Sequence, residues 1–266
     1  DGSIPAPIGG NVFNIAITPV NDPPRVSLNT GLTLSEGTSS TIGNPALLVT
    51  DPDGPGPITY TLGNTPGRGS LLLGTTTLAT GQTFTQSDIN SGQLSYLHDG
   101  SETTSDSFSF TASDGSTGVL GSTSFNINVT PVNDPPSLTI PGAQVVDEDG
   151  QLTLADATRI SVSDAENDNP VTVSLSASNG TITVSGVGVP GNGTNSVTLT
   201  GTISAVNIAL ASVIYRPTAN FNGPDALVLT AADAGPPISR TIDITVRPVN
   251  DAPTLTLSTT AQPIED

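Results

Sequence analysis

The sequence predicts an all-β protein built from tandem β-sandwiches, and three observations lead to that prediction. Short runs rich in Val, Ile, Leu and Thr alternate polar and apolar residues, which is the period of a strand with one buried face. Turn-forming pairs such as Asp53-Gly54 and Asn192-Gly193 fall between these runs. One linker sequence is written three times, which indicates repeated copies of a single domain.

The repeated linker sets the domain organisation. Its copies read TPVNDPP, TPVNDPP and RPVNDAP, and their aspartates lie about 112 to 117 residues apart, a usual length for one domain. A glutamate follows each of these aspartates after fourteen residues. We expect the last strand of a preceding copy, two full repeats and the start of a following copy, at 1–22, 23–134, 135–251 and 252–266. Because the chain begins at Asp1 and contains no methionine, we expect a piece of a longer array.

The alternating runs place strands along both repeats. Strands spaced in this way, without long helical patterns between them, are typical of a β-sandwich. The runs lie at 58–62, 70–73, 94–97, 107–111, 124–129, 171–175, 181–184, 197–199, 213–215, 226–229 and 241–246.

One short helix is predicted in each repeat. Residues 85–88, Thr-Gln-Ser-Asp, have the form of a capping box, in which the first and last side chains satisfy each other's backbone N–H groups. Ile89 precedes Tyr96 by seven residues, and Ile208 precedes Tyr215 by the same number. The shared offset indicates a helical turn before an equivalent strand in both copies.

The composition excludes several classes of function. The chain has 24 acidic residues against six basic ones, none of which is lysine, and a formal net charge of −18. Nucleic acids and anionic membrane surfaces attract proteins through clustered Lys and Arg, so neither is an expected partner. No apolar run reaches the length of a membrane span, so no membrane insertion of this segment is expected. Without cysteine, disulfide and thiolate-metal chemistry are unavailable.

Acidic side chains recur at fixed places in the two repeats. An acid pair with one residue between its members follows each opening glutamate, at 51–53 and 164–166. A further aspartate, Asp114 or Asp233, stands near the end of each copy beside Ala and Gly. Calcium takes six to eight oxygen ligands from carboxylates, amides and backbone carbonyls, so these recurring acids indicate calcium binding.

These residues resemble the cadherin repeats. That family has an early glutamate, a D-x-D pair, an A-x-D-x-G motif before its last strand and an N-D-x-P linker, and all four stand in that order in both copies. The first copy, at 94–102 and 107–110, is similar to a chondroitin-sulfate-proteoglycan (CSPG) repeat. The second, at 215–217 and 220–225, is similar to the cadherin-like repeats of large bacterial surface adhesins. The resemblance implies Greek-key, Ig-like sandwiches joined by short calcium-binding linkers.

The family layout also implies ligand sets for Ca²⁺ at three junctions. The D-R-E motif of cadherins is missing; Asp99 and Glu102 in the first copy, and Asn222 and Asp225 in the second, stand roughly where it would be. Ligands are implied at a central junction (Glu36, Asp99, Glu102, Asn133, Asp134, Asp164, Glu166, Asp233), a preceding one (Asn21, Asp22, Asp51, Asp53, Asp114) and a following one (Glu148, Asp225, Asn250, Asp251).

Other residue types do not indicate an enzyme. His98 is the single histidine, so a catalytic triad or a His/Cys zinc site is not expected. A ligand role beside Asp99 is the alternative for it, and we predict a surface or loop position. The acid pairs stand beside linkers, and the chain has no tryptophan to stack against a sugar, which disfavours glycoside hydrolysis. Tyr60, Tyr96 and Tyr215 lie in predicted strands and are expected to pack in the cores.

Two functions remain open at this point. The first is a calcium-rigidified stalk or adhesion module of a large extracellular, cell-surface or secreted protein, with neighbouring repeats of the same chain as partners. The alternative is a module that binds a surface polysaccharide, another adhesin or a partner protein through its loops or sheet faces. A concave patch with exposed aromatic residues would favour the alternative, and uniformly polar faces would favour the stalk.

Overall fold

A computed structural model describes residues 16–54, 56–167, 170–186 and 189–253. The chain divides into two compact units, unit 1 (Asp1–Val132) and unit 2 (Asn133–Asp266), and the division falls inside the second copy of the linker. In both units nearly all of the regular secondary structure is β-strand, which confirms the all-β, Ig-like sandwich prediction. The repeat boundaries remain a prediction, and the flanking pieces at 1–15 and 254–266, with Glu265, lie outside the described residues.

Unit 1 is a sandwich of a five-stranded and a four-stranded sheet, with a two-stranded pair beside them. Its elements are β1 (Arg25–Asn29), β2 (Leu32–Ser35), β3 (Ser39–Thr41), β4 (Leu47–Thr50), β5 (Thr59–Leu62), β6 (Gly69–Leu73), β7 (Thr76–Thr77), β8 (Thr83–Thr85), α1 (Gln86–Asn90), β9 (Leu94–His98), β10 (Ser105–Ser113) and β11 (Val119–Thr130). The sheets run β2-β11-β10-β5-β8 and β3-β9-β6-β7, and β1 pairs with β4. The early strand β2 lies parallel to the last strand β11, while the other pairs are antiparallel.

Unit 2 repeats this arrangement with fewer strands. Its elements are β12 (Ser137–Thr139), β13 (Gln144–Asp147), β14 (Leu152–Leu154), a 3₁₀ turn (Asp156–Thr158), β15 (Ser161–Ser163), β16 (Val171–Ala177), β17 (Gly180–Thr183), β18 (Ser196–Gly201), α2 (Ile203–Leu210), β19 (Val213–Pro217), β20 (Gly223–Ala232) and β21 (Ile238–Arg247). The sheets run β13-β21-β20-β16-β18 and β14-β19-β17, and β12 pairs with β15. Again the early strand, β13, lies parallel to the last, β21. All eleven strands predicted from alternation are present, most of them longer than predicted.

Each unit encloses its own apolar core, but the two cores differ in chemistry. The core of unit 1 is rich in aromatic rings: Tyr60 stacks on Phe84 with centroids 4.8 Å apart, and Phe108 stacks on Phe125 at 5.0 Å. The core of unit 2 consists of Val, Leu, Ile and Ala around one fully buried aromatic side chain, Tyr215. The prediction that the three tyrosines pack in the cores is confirmed, since each has 0% exposure.

Both short helices form where the sequence places them. In α1, Thr85 Oγ1 accepts from the N–H of Asp88 at 3.1 Å, and Asp88 Oδ2 accepts from the N–H of Thr85 at 2.7 Å, which confirms the capping box. Helix α2 begins after Thr202, whose hydroxyl accepts from the N–H of Ala205. The two helices pack differently, because Ile89 is buried whereas Ile208 is 72% exposed.

Candidate metal centres

The acids predicted from the sequence collect at the ends of each unit. We call the set beside an incoming linker the entry cluster. In unit 1 it comprises Asn21, Asp22, Asp51, Asp53 and Asp114; in unit 2 it comprises Asn133, Asp134, Asp164, Glu166 and Asp233. The exit cluster of unit 1 comprises Glu36, Asp99 and Glu102, and at the exit of unit 2 stand Glu148 and Asn222.

The linker asparagines adopt the same local conformation in all three copies. The side-chain amides of Asn21, Asn133 and Asn250 donate to the carbonyl oxygen of the following aspartate at 3.2, 3.0 and 3.2 Å. This bond fixes each carboxamide against its own linker. Asn250 and Asp251 are exposed, and both belong to unit 2.

In the entry cluster of unit 1, the loop after β4 binds the incoming linker. The N–H of Asp22 donates to Asp53 Oδ2 at 2.6 Å, and the N–H of Asp53 donates to Asp51 Oδ1 at 2.8 Å. The carboxyl groups of Asp51 and Asp114 also lie within hydrogen-bonding range of each other. Two carboxylates in such a contact repel unless a proton or a cation is shared between them. Asp51 Oδ2 is buried and has no hydrogen-bond partner among the described residues.

The pKa of Asp114 lies below its ordinary value. The largest cause is the N–H of Ser116, which donates to Asp114 Oδ1 at 2.7 Å; partial burial opposes the shift, and the amide of Asn21 adds to it. Backbone donors therefore hold Asp114 in its anionic form, which is the form that can bind a cation.

The entry cluster of unit 2 has the same layout with a glutamate in place of the second aspartate. The N–H of Asp134 donates to Glu166 Oε1 at 2.5 Å, as that of Asp22 does to Asp53. The amide of Asn133 lies 3.4 Å from Asp233 Oδ2, and the carboxyl groups of Asp164 and Asp233 are in contact. Glu166 Oε2 is buried without a hydrogen-bond partner in the described part of the chain.

The pKa of Asp233 is also lowered. Burial acts first and raises it, but the N–H of Gly235, which donates to Asp233 Oδ1 at 2.6 Å, and the amide of Asn133 outweigh that effect. A Cβ at Gly235 would lie 2.7 Å from the amide nitrogen of Asn133, so a larger residue there would displace that amide. The two entry clusters thus match in layout and in the electrostatic state of their last aspartate.

The exit glutamates of the two units have different partners. Glu36 is 8% exposed; its Oε2 lies 3.4 Å from the N–H of Val132, and its Oε1 is buried without a hydrogen-bond partner among the described residues. Glu148 is 5% exposed, and both its oxygens are used: Oε1 accepts from the N–H of Val249 at 2.7 Å and Oε2 from the amide of Asn222 at 3.2 Å.

Within unit 1 the exit cluster brings negative charges together. Carboxylate oxygens of Glu36 and Glu102 lie within 4.8 Å of one another. Asp99 is exposed, and its pKa is lowered mainly by the side chain and N–H of Ser101, with burial opposing the shift and His98 and Arg68 contributing less. Two carboxylates as close as those of Glu36 and Glu102 repel each other, and a divalent cation between them would relieve that repulsion.

The position of Asp225 corrects one correspondence drawn from the sequence. Asp225 is buried; its Oδ2 accepts from the hydroxyl of Tyr215 at 2.6 Å and the N–H of Asn179 at 3.0 Å, and its Oδ1 from the N–H of Ser178 at 3.3 Å. Since protein donors occupy both oxygens, Asp225 anchors a turn.

Sequence reasoning missed the equivalent residue in unit 1, which is Asp106. It accepts from the hydroxyl of Tyr96 at 2.8 Å and from the N–H groups of Gly67 and Arg68, both at 2.9 Å. Tyr and Asp stand ten residues apart in both units, and that shared offset was the signal available. When the two units are aligned on these Tyr–Asp pairs, Asp99 and Glu102 correspond to Thr218 and Phe221 of unit 2, and not to Asn222 and Asp225.

The prediction for His98 was wrong. It is 3% exposed and lies at the end of β9 on the same inward-facing side as Leu94 and Tyr96. The alternation of buried and exposed residues in β9 continues to His98, one residue beyond the predicted run at 94–97. This pattern would have placed the imidazole inside. His98 therefore belongs to the interior of unit 1, directly beside the exit cluster.

Comparisons with known proteins support the same fold. Residues 24–129 match a family model described as Cadherin-like. Extracellular matrix protein 3 of Lytechinus variegatus is 38% identical over 104 residues, which is 39% of this chain and 3% of that protein. Extracellular matrix organizing protein FRAS1 of Mus musculus is 26% identical over 244 residues, 88% of this chain and 6% of the relative. Chondroitin sulfate proteoglycan 4 of Homo sapiens is 35% identical over 101 residues, 37% of this chain and 4% of the relative.

Among solved structures, the extracellular cadherin domains 1–5 of protocadherin gamma B2 align over 87% of this chain and 40% of theirs, with 17% identity and a TM-score of 0.46.

The chain spans only a small part of each curated relative. By name these relatives are matrix proteins and a proteoglycan, in agreement with the extracellular location predicted from the sequence. No helix in the described ranges is long and apolar enough to cross a membrane. Residues 24–129 are thus similar to the cadherin-like family model, and the chain is similar to short segments of extracellular matrix proteins.

Proposed function

We propose that this chain is a calcium-stiffened segment of the stalk of a large extracellular adhesion or matrix protein. The observation that carries the proposal is the set of buried carboxylate oxygens without hydrogen-bond partners among the described residues, on Glu36, Asp51 and Glu166. An unpaired buried carboxylate oxygen is costly, and in native structures such groups are satisfied by protein, water or a bound ion. All three stand at the ends of the units.

The residues fit calcium better than other common metals. Every candidate ligand is a carboxylate or a carboxamide, and hard oxygen donors of this kind suit calcium, whereas zinc takes Cys and His ligands. We assign as ligands the two entry clusters and the exit cluster of unit 1, all defined above. Asp225 is left out because Tyr215 and two backbone N–H groups already satisfy it.

The proposed mechanism is electrostatic. With a formal net charge of −18, the chain carries strong self-repulsion, and the acids concentrate it at the unit ends. Calcium bound there neutralises the repulsion, so that neighbouring units move less. The tandem array of repeats at 23–134 and 135–251, its continuation at both ends and the likeness of the second repeat to bacterial adhesins belong to this proposal. The partners are then neighbouring repeats of the same chain.

A calcium titration monitored by thermal unfolding tests the proposal. A ligand that binds only the folded state at a hundredfold excess over its dissociation constant adds about 2.7 kcal/mol for one site. Extracellular calcium modules bind at roughly 10⁻⁴–10⁻³ M, so several millimolar calcium is the concentration to use. We expect a higher melting temperature in calcium than in chelator. Identical melts would overturn the assignment.

Matched charge removals localise the effect. Asp51→Asn and Asp233→Asn each remove one carboxylate from an entry cluster, while Asp243→Asn removes the same charge from the exposed face of β21. The first two variants should lose part of the calcium-dependent rise in melting temperature, and the third should keep it. Equal behaviour of all three would indicate nonspecific screening of charge.

Small-angle scattering tests the stiffening itself. In calcium the distribution of particle dimensions should narrow and the maximum dimension should grow relative to chelator. A compact particle in calcium would contradict the stalk and favour a binding module.

The alternative function, recognition of a polysaccharide or a partner protein, lacks the feature predicted for it. Among the described residues every Tyr and Phe is buried or half-buried, so these residues provide no exposed aromatic platform for a sugar. Stacking on such platforms is how aromatic side chains commonly contribute to binding surfaces. We therefore place the stalk first.

A further inference from the structure

We propose that His98 is the residue that positions the exit cluster of unit 1 for calcium. The inference rests on the proposed function, since it assigns a role in forming that calcium site. His98 itself ligates nothing in this proposal. It acts through two stretches of chain that carry the three acids of the cluster, the turn at Gly37 and the loop at 99–103.

The first step is the position of the imidazole. His98 Nδ1 accepts from the N–H of Gly37 and the N–H of Gly100, both at 3.2 Å, and Nε2 lies 3.1 Å from the hydroxyl of Thr103. Two N–H donors at Nδ1 require that atom to be unprotonated, which places the ring proton on Nε2, facing Thr103. One buried ring thereby joins hydrogen-bonding groups from the turn at Gly37 and the loop at 99–103.

The second step is the identity of those segments. Gly37 follows Glu36, Gly100 follows Asp99 and Thr103 follows Glu102. The ring therefore holds the backbone N–H groups that follow Glu36 and Asp99, and the side-chain hydroxyl of the residue that follows Glu102. The ring sets the spacing of the acids without contacting a cation.

The third step is the conformation and contact of the two glycine turns. Gly37 and Gly100 have φ values of +64° and +79°, a left-handed conformation that glycine adopts without strain. The two turns touch, since a Cβ on Gly37 would lie 4.0 Å from Gly100 Cα. A single acceptor, Nδ1, holds their N–H groups together at that contact.

An independent observation points to a ligand at this cluster. Glu36 is 8% exposed, and its Oε1 is buried with no hydrogen-bond partner among the described residues, within a cluster where Glu36 and Glu102 oxygens lie within 4.8 Å. Unit 2 supplies the contrast: Pro217, Thr218 and Phe221 stand where unit 1 has His98, Asp99 and Glu102. The unit that lacks the imidazole also lacks two of the three acids.

The test is calorimetric titration of CaCl₂ into the full chain at fixed neutral pH, for wild type, His98→Leu and His98→Asn. Leucine fills the space without an acceptor, whereas the asparagine oxygen can replace Nδ1. Removing groups that orient metal ligands commonly costs about 10–100-fold in metal affinity. We expect a loss of about that size for His98→Leu and recovery of most of it for His98→Asn.

Two controls separate positioning from general stability. Phe110→Leu weakens the core of unit 1 away from the ring and should leave calcium affinity unchanged in the folded protein. In a Glu36→Gln background, His98→Leu should cause little further loss, because both changes act on one site. If His98→Leu fails to fold in chelator, Thr103→Val removes the Nε2 partner, together with a 3.5 Å contact to Ser101 Oγ, and should weaken binding in the same direction.

The outcomes are distinguishable. If wild type binds no calcium at millimolar concentration, the proposed function fails and this inference fails with it. If wild type binds but His98→Leu and Thr103→Val bind equally well, the inference alone is overturned. A loss of affinity for Phe110→Leu as large as that for His98→Leu would also overturn it, since the ring would then act only through stability.

Discussion

The exit glutamates of the two units, Glu36 and Glu148, occupy the same place in the fold, but their buried carboxylates have different hydrogen-bond partners. In both, a buried glutamate accepts from the N–H of an outgoing valine, Val132 or Val249. In unit 2 the protein satisfies Glu148 completely, through Val249 at 2.7 Å and Asn222 at 3.2 Å. In unit 1 the bond to Val132 is long, at 3.4 Å, and Glu36 Oε1 has no protein partner in the described residues.

The difference shows that the fold position alone does not decide whether the protein itself satisfies a buried acid. The neighbours decide it: an amide beside Glu148 donates a hydrogen bond, whereas Glu102 beside Glu36 adds a second negative charge. We infer that the exit of unit 2 is held by protein hydrogen bonds and that the exit of unit 1 depends on a cation.

The largest expected effect concerns the Tyr–Asp hydrogen bond that both units contain, which we call the anchor of each unit. Tyr96→Phe and Tyr215→Phe delete the hydroxyl that donates to Asp106 and Asp225 respectively. Each change leaves a part-buried or buried carboxylate short of one donor, which costs about 1–3 kcal/mol of unfolding free energy. Chemical denaturation in chelator and in calcium should give the same loss in both units, because neither anchor involves the metal.

A loss in one unit only would break the equivalence of Asp106 with Asp225. It would also contradict the alignment of the two units in which Asp99 and Glu102 correspond to Thr218 and Phe221. Tyr60→Phe, whose hydroxyl donates to Gln86 Oε1 at 2.5 Å, is a control that removes a buried hydroxyl without touching either anchor.

A second, smaller effect distinguishes the exits directly. Glu148→Gln weakens two hydrogen bonds to a charged acceptor and should destabilise the protein by about 1–2 kcal/mol, equally in chelator and in calcium. Glu36→Gln removes a buried charge beside Glu102, so in chelator it should be neutral or stabilising. In calcium it should be destabilising, because a ligand is lost. Melting curves of both variants under both conditions check this reversal.

The change of sign expected for Glu36→Gln between chelator and calcium distinguishes the two exits most clearly. If Glu36→Gln destabilises the protein equally in chelator and calcium, the exit of unit 1 is held by protein contacts, as in unit 2. If Glu148→Gln loses stability only in calcium, the exit of unit 2 binds metal, and our interpretation of Asn222 is wrong.

Much of this architecture could be predicted from the sequence. The period of two along the strands and the capping box at Thr85 are local signals, and both are confirmed. The entry clusters were also indicated, because Asp51 and Asp53, or Asp164 and Glu166, are close in sequence and recur beside a repeated linker. Whether these acids bind calcium remains a prediction.

The exits were harder to predict because they depend on register between strands distant in sequence. The role of Asp225 is decided by Tyr215 and by a turn about 46 residues earlier, at Ser178 and Asn179. Motif matching aligned it by acidity with Glu102. The burial of His98 was readable from the alternation of Leu94 and Tyr96, but its partners, Gly37 and Gly100, meet only in the folded unit.

The smallest expected effect concerns pH at the exit of unit 1. The side chain and N–H of Ser101 hold the pKa of Asp99 below its ordinary value, with partial burial opposing the shift. A lowered folded-state pKa gives stability that is present above the unfolded pKa of about 3.9 and is lost as pH falls through the folded value. The corresponding residue of unit 2, Thr218, has no carboxyl group and contributes nothing in that range.

Carbon-detected NMR titration of the Asp99 carboxyl in chelator measures this shift. Ser101→Ala removes the side-chain donor while keeping the N–H that donates to Asp99 Oδ1 at 3.0 Å, so the pKa should move back toward its ordinary value without reaching it. Because Asp99 is exposed, the change in stability should be small and should shrink further at high salt. An unchanged pKa in Ser101→Ala would show that the turn, and not the hydroxyl, keeps Asp99 anionic, and the exit of unit 1 would then owe its charge to backbone geometry alone.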